Sequence, residues 1–219
     1  MARRMIRVED RRTRLSPEAR RAQLIDLGTE MLATRTIDEV SVEEIAEQAG
    51  VSRGLIFHYF GSKHGFLMAV VEYQSDRLIE ATEPDPTLEP LAQLAQSLSS
   101  YLDYVTDNRD GFVSLLRGTA SADVQMRELF ERTRTALTDR VLERIPLIGI
   151  PVTPRVQLAV RGWIAFVEET VITWLSEPEP PLSRDELLGM LNWALPALAM
   201  TPEDSALVAG LLQGATVDG

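Results

Sequence analysis

Residues 41–63, SVEEIAEQAGVSRGLIFHYFGSK, constrain the fold of this chain more than any other stretch. Ser41 is a good N-cap, and Glu44 stands three positions on, the spacing of a capping box. Val42, Ile45, Ala46 and Ala49 then set one apolar face at helical spacing. Gly50 ends that helix, where a left-handed residue is wanted and a Cβ is penalised. Val51 plugs the space between this helix and the next, and Ser52 caps a second helix running from Arg53 to Phe60. The layout predicts two short helices joined by a tight turn, the arrangement of a helix-turn-helix, whose second helix enters the DNA major groove. The plain alternative is a generic pair of packed helices. S-x-x-E arises often by chance; A-x-x-A-G-V-S followed by a short helix ending H-Y-F and then a Lys is far rarer.

Within that frame each polar residue has two readings. Arg53 opens the second helix, where its fork either bonds guanine O6 and N7 together or grips a phosphate. Gly54 leaves room for close approach to the groove floor. Leu55 either touches a thymine methyl or joins the core. Lys63, at the start of the following helix, joins a cation to free backbone N–H groups, which suits a phosphate. Ser41 and Ser52 are read first as caps and second as phosphate contacts. Ile56 and Phe60 read as core.

From about Arg20 to Val71 the chain resembles the N-terminal domain of the tetracycline-repressor (TetR) family. The matching residues are Ile45-Ala46, Ala49-Gly50-Val51-Ser52, Gly54, Ile56, His58-Tyr59-Phe60, Lys63 and Leu67. The resemblance implies an all-α homodimer that represses transcription and releases DNA when a small molecule binds its C-terminal domain. It also implies phosphate contacts from His58 and Tyr59. The chain departs from the family pattern at three positions. Thr36 stands where a Gly is frequent, Leu55 where a polar residue is usual, and Phe57 where a Tyr is usual. A β-branched Thr tolerates positive φ poorly, so the turn before the second helix is expected to take another conformation.

The formal net charge is −11, an unusual value for a DNA binder, but its distribution is uneven. Residues 1–64 carry eleven Lys+Arg against ten Asp+Glu, and the rest carries eleven against twenty-three. Eight Arg lie in the first 21 residues. Local field, not total charge, governs phosphate binding. Residues 1–15 read as a flexible basic arm that either follows the DNA or merely solubilises the chain. The domain expected next is residues 16–66, three helices carrying the helix-turn-helix. Residues 67–219 would form a helical domain for ligand binding and dimerisation, giving about nine to ten helices in all. Breaks fall at Glu83-Pro84-Asp85-Pro86, at a Pro146–Pro154 loop and at Glu177–Pro181, with a helix from about Thr87, a second capping box at Ser183 and Glu186, and a last short helix after Thr201-Pro202.

Helices in the C-terminal half carry apolar stripes that read first as packed core. The family resemblance implies a pocket among them, and its candidate lining is Tyr101, Leu102, Val105, Phe112, Leu116, Phe130, Trp163, Phe166, Val167 and Glu168. Such walls suit a small apolar or amphipathic effector. Gly162 and Ala165 allow close helix approach, and with Leu187, Leu188, Leu191, Trp193, Leu195 and Leu198 they suggest a homodimer built on helices 8 and 9. Two-fold symmetry would set two reading helices on a palindromic double-stranded operator.

Other classes fit less well. With no Cys there is neither disulfide nor thiolate metal site, which suits a cytoplasmic protein. The two His, His58 and His64, lack metalloprotease spacing, and no P-loop or dinucleotide fingerprint occurs. No enzyme activity, metal or cofactor is expected. No apolar run is long enough to span a membrane, and the N-terminus lacks a secretory apolar segment. An all-α small-molecule carrier or interaction protein without DNA binding is the remaining alternative, against which the Arg-rich arm and the intact turn argue.

Overall fold

The computed structural model describes residues 15–117 and 123–199. The basic arm, apart from Leu15, and the short helix after Thr201 lie outside them. The described residues form nine α-helices and no strand: α1 (Pro17–Thr34), α2 (Val42–Ala49), α3 (Arg53–Phe60), α4 (Lys63–Ala81), α5 (Pro90–Asp107), α6 (Arg109–Arg117), α7 (Val124–Arg144), α8 (Pro154–Ser176) and α9 (Arg184–Ala199).

Local signals account for most boundaries. Ser16 caps α1, its hydroxyl accepting from the Ala19 N–H at 3.1 Å, with Pro17 at the first position. Ser41, Ser52 and Ser62 do the same for α2, α3 and α4. Gly50 is left-handed with φ of 64° and closes α2 as expected. The box at the start of α2 is only half formed. Ser41 accepts from the Glu44 N–H, but the Glu44 carboxylate turns to Arg35 at 2.7 Å, tying α2 to the end of α1. The box at α9 is complete, with Ser183 N–H to Glu186 Oε2 at 2.9 Å and Glu186 N–H to Ser183 Oγ at 3.3 Å.

Three connections differ from expectation. Before α2, Thr36 sits at φ of −69° and opens a 3₁₀ turn, Ile37–Glu39, in which its N–H and hydroxyl both donate to Glu39. That is another conformation than a glycine turn, as Thr36 requires. Helix α5 starts at Pro90 rather than near Thr87, because the Thr87 N–H and hydroxyl bond back to Asp85 Oδ1 and hold a turn. The expected 146–154 loop contains a 3₁₀ turn, Ile145–Ile148.

Two apolar clusters organise the helices. One gathers Leu24, Leu32, Ile45, Ile56 and Phe66 of the first four helices, and continues through Val70 and Val71 to Leu115 of α6 and Met126 and Leu129 of α7. The other gathers Leu78 of α4 with α5, α8 and α9. Helix α4 therefore belongs to both. Helix α1 crosses α4 and α6 at glycines. A Cβ on Gly28 would come within 2.6 Å of Val70 Cγ2, and one on Gly111 within 2.3 Å of the Leu32 carbonyl oxygen. The Ile37 N–H also donates to Ser114 Oγ of α6 at 3.0 Å.

The α8–α9 pair corrects the sequence reading of which residues it leaves for a partner. Leu187, Leu191 and Leu195 are buried within the subunit, as is Trp163, whose indole N–H donates to the Leu191 carbonyl at 2.8 Å. Trp174 bonds the Leu182 carbonyl. The apolar side chains left exposed on this pair are Leu158, Phe166, Met190, Trp193 and Leu198. A stripe on an amphipathic helix shows that a face is covered, not whether its own subunit covers it.

Candidate nucleic-acid interface and internal cavity

Helix α3 is held from below by one residue. Ile56 is fully buried, Val51, Phe57, Tyr59 and Phe60 pack partly around it, and Arg53, Gly54 and His58 face solvent. Leu55 is half-buried, between its two readings. A Cβ on Gly54 would meet only Ser52 Oγ, at 3.8 Å, so nothing inside the protein requires a glycine there. The Arg53 guanidinium lies over the Phe57 ring, 5.0 Å from its centroid, and pairs with Glu43 of α2 at 2.8 Å. Both partners are exposed, so this pair holds the side chain only weakly. Phe57, where the family usually has Tyr, thus stacks with Arg53. His58 and Tyr59 meet edge to face, 5.8 Å apart. Lys63 is exposed at the first turn of α4, beside the Ser62 cap.

Ser41 and Ser52 spend their hydroxyl acceptors on capping. Sequence reasoning missed Arg21, an exposed cation over the Phe60 ring at 5.2 Å, which adds positive charge beside α3. Its position four residues after Pro17 on the first turns of α1 was the available signal. Arg20, its neighbour, is instead committed to Gln23 and the Ala49 carbonyl.

Between α4, α5, α6, α7 and α8 lies a cavity of about 1400 Å³ of space between atoms, open solvent at its mouth included. Seven predicted residues line it: Tyr101, Phe112, Leu116, Phe130, Trp163, Val167 and Glu168. Three do not. Leu102 and Val105 are fully packed into the core cluster shared with α8 and α9 and do not reach the cavity, and Phe166 is exposed on the outer side of α8. The walls are otherwise largely apolar, with polar groups that include Gln74, Ser97, Tyr104, Asn108 and three arginines of α7, Arg134, Arg140 and Arg144. Ser97 Oγ is buried without a hydrogen-bond partner.

Burial pushes the Tyr101 phenol far up, helped by the Glu168 charge, so it stays a neutral donor. Burial likewise pushes Tyr104 up to about 12, and its hydroxyl donates to the Gln74 carbonyl of α4 at 2.9 Å. Glu168 meets Arg134 in a two-pronged pair, at 2.6 Å from Nε and 2.5 Å from Nη2. That bond raises the Arg134 guanidinium above its ordinary value. The neighbouring Glu169 pairs with Arg117 on the surface, and Arg161 pairs with Glu131. The α7 arginines were hidden in the sequence because Arg at a surface stripe reads as a solvated face. The available signal was their phase: Arg134, Arg140 and Arg144 recur with Phe130, Leu137 and Val141 on one side of the helix.

A capped three-helix unit with an exposed third helix, joined through α4 to a helical domain with an internal cavity, defines the class of one-component helix-turn-helix transcription regulators. Comparison with known proteins agrees. The profile of the tetR family of bacterial regulatory proteins matches residues 24–70, and that of the tetracyclin repressor-like C-terminal domain matches residues 90–195. A crystal structure of a tetR-family transcriptional regulator from Streptomyces coelicolor is 31% identical, with a TM-score of 0.77 over 91% of this chain and 90% of that one. The transcriptional activator FasR of Mycolicibacterium smegmatis is 22% identical over 194 residues, 88% of this chain and 89% of its own. FadR from Bacillus subtilis, solved in complex with stearoyl-CoA, shares the fold, with 22% identity and a TM-score of 0.59 over 81% of this chain and 97% of that one.

The chain belongs to the TetR family of transcription regulators. It is a regulator rather than an enzyme. No helix among the described residues is long and apolar enough to cross a membrane.

Proposed function

We propose that the protein is a homodimeric, ligand-responsive regulator that holds a palindromic operator and releases it when a small apolar or amphipathic effector fills the cavity. The observation that carries this reading is α3: one buried anchor, Ile56, beneath a face led by exposed Arg53 and Gly54 and flanked by Lys63. Arg53 would read a base, Leu55 would touch a thymine methyl, and His58, Tyr59 and Lys63 would hold phosphates. The DNA-binding unit, residues 16–66, and the effector and dimer unit, residues 67–219, meet within α4. The exposed faces of α8 and α9, with Leu158, Phe166, Trp193 and Leu198, supply the apolar surface for a two-fold contact. Gly162 opens a strip there, since a Cβ on it would meet nothing within 4 Å.

Induction is a population shift. Helix α4 forms a cavity wall with Gln74 and Leu78 and carries Lys63 at its other end, so an effector that favours one α4 position also favours one spacing of the reading heads. Relatives' names bear on the effector and on the sign of control. FadR is solved with stearoyl-CoA, which suits an apolar cavity, whereas FasR is an activator by name. In vitro transcription from a bound promoter, with and without protein, settles repression against activation. The reading as a whole is tested by retention of a random duplex pool across a salt series. Retention that falls steeply with salt is the expected result; no retention even at low ionic strength refutes DNA binding and leaves the carrier alternative.

A further inference from the structure

The cavity has a direction. Its α7 wall runs from Phe130 to Arg144, about 21 Å of helix at 1.5 Å per residue. The Phe130 end, with Leu115 and Leu116, is apolar. The nearby Arg134 is held by Glu168 in a two-pronged pair and also bonds Glu131, so its charge is already met by two carboxylates. The opposite end is different. Arg140 and Arg144 stand one turn apart beside Thr82, Pro84 and Pro90.

Arg140, only 16% exposed, donates to the Ile79 carbonyl at 2.7 Å, to Thr82 Oγ1 at 2.9 Å and to Glu83 Oε2 at 2.5 Å. Arg144 donates to Gln93 Oε1 and to the Arg140 carbonyl, both at 3.1 Å, and its Nη2 stands 4.0 Å from Glu83 Oε1. Two largely buried guanidiniums thus share the Glu83 carboxylate, which is 62% exposed on the turn between α4 and α5, and the Glu143 carboxylate, 75% exposed, stands 3.8 Å from Arg144 Nη1, so the acids that pair with them among the described residues are held out in solvent. Burying cationic charge is costly without a close anion, and a guanidinium fork is best met by two oxygens at once.

We infer that this end is an anion subsite: Arg140 and Arg144 take the carboxylate or phosphate head of a single-chain amphiphile whose tail lies along the channel, and Glu83 is the resident carboxylate that the head displaces. This rests on the cavity being the effector site. A neutral ligand leaves Glu83 in place. An anionic one frees the turn that ends α4, the helix whose first residue is Lys63. The head group is therefore the part of the effector that moves α4.

The test is calorimetric titration of the full-length protein with dodecanoate, dodecyl phosphate and dodecanol, each below its aggregation threshold. Wild type is expected to bind both anions more tightly than the alcohol, and the tighter of the two identifies the head. Glu83→Gln is expected to tighten the anions about tenfold and leave dodecanol unchanged, because it removes the competing charge. Arg144→Gln is expected to weaken the anions about tenfold with dodecanol unchanged. Glu83 is exposed, so its variant keeps the test open if Arg144→Gln unfolds. Equal binding of alcohol and anions, unmoved by Glu83→Gln, overturns the subsite while the effector cavity stands. Failure of all three probes to bind overturns both.

Discussion

Gly54→Ala separates a reading helix from a packed one, because the two roles predict opposite signs. Within the free protein the added methyl meets only Ser52 Oγ at 3.8 Å, an ordinary contact. The residue is in helical conformation on an exposed face, where Ala is favoured over Gly by about 0.5–1 kcal/mol in a helix interior, and by roughly half that in a first turn. In a chain of this size that corresponds to a rise of about 1–2 °C in Tm. In the proposed DNA complex the same methyl would stand next to Arg53, between the helix and the groove floor. Loss of close approach should weaken binding to a selected duplex about tenfold, or about 1.4 kcal/mol. Thermal unfolding and fluorescence anisotropy on one preparation give both numbers. A variant that is as stable as wild type or more so and binds DNA unchanged would refute the placement of the α3 N-terminus in the groove.

Further outcomes follow from the same geometry. Arg53→Ala should cost about 1–3 kcal/mol on the preferred sequence and relax preference at one base position, while Lys63→Ala should weaken binding to all sequences and reduce the salt slope by about one. Equal losses from Arg53→Ala on specific and random duplexes would remove its base-reading role. Gly65→Ala puts a Cβ 2.1 Å from the Phe60 carbonyl oxygen, so it should destabilise by roughly 1–3 kcal/mol in urea unfolding, and an unchanged midpoint would refute the tight α3–α4 corner. Glu39, bonded by the Thr36 backbone and hydroxyl, Glu131, between Arg134 and Arg161, and Glu186, bonded by the Ser183 hydroxyl and backbone, are all held below the ordinary carboxyl range. The unfolded chain therefore takes up protons first, so their stabilisation is complete above a pH of about 5 and drains as pH falls through the folded values. A Tm that stays flat from neutral pH down to about 3 would contradict it.

What was legible in the sequence was short-range. Ser16, Ser41, Ser52 and Ser62 each bond an N–H three residues on, so the caps of α1 to α4 could be read from neighbouring letters. Gly50 declared its own backbone. What was not legible depends on partners far along the chain. Glu44 leaves its box for Arg35, and the Ile37–Glu39 turn is bonded by Ser114 of α6. The α7 arginines look solvated until Glu83, Gln93 and Glu168 are brought to them by the fold. Leu102 and Val105 share a core cluster with Tyr101, and periodicity alone does not say which residues of one apolar face border a space and which are closed over by neighbouring helices.

The most direct test is selection of bound duplexes from a random library, run in parallel with wild type and Arg53→Ala. The account predicts an inverted repeat whose half-sites are centred about one helical turn, or a multiple of it, apart, with one position per half-site losing preference in the variant. Enrichment of a single asymmetric site, or of the same motif with and without Arg53, would contradict it.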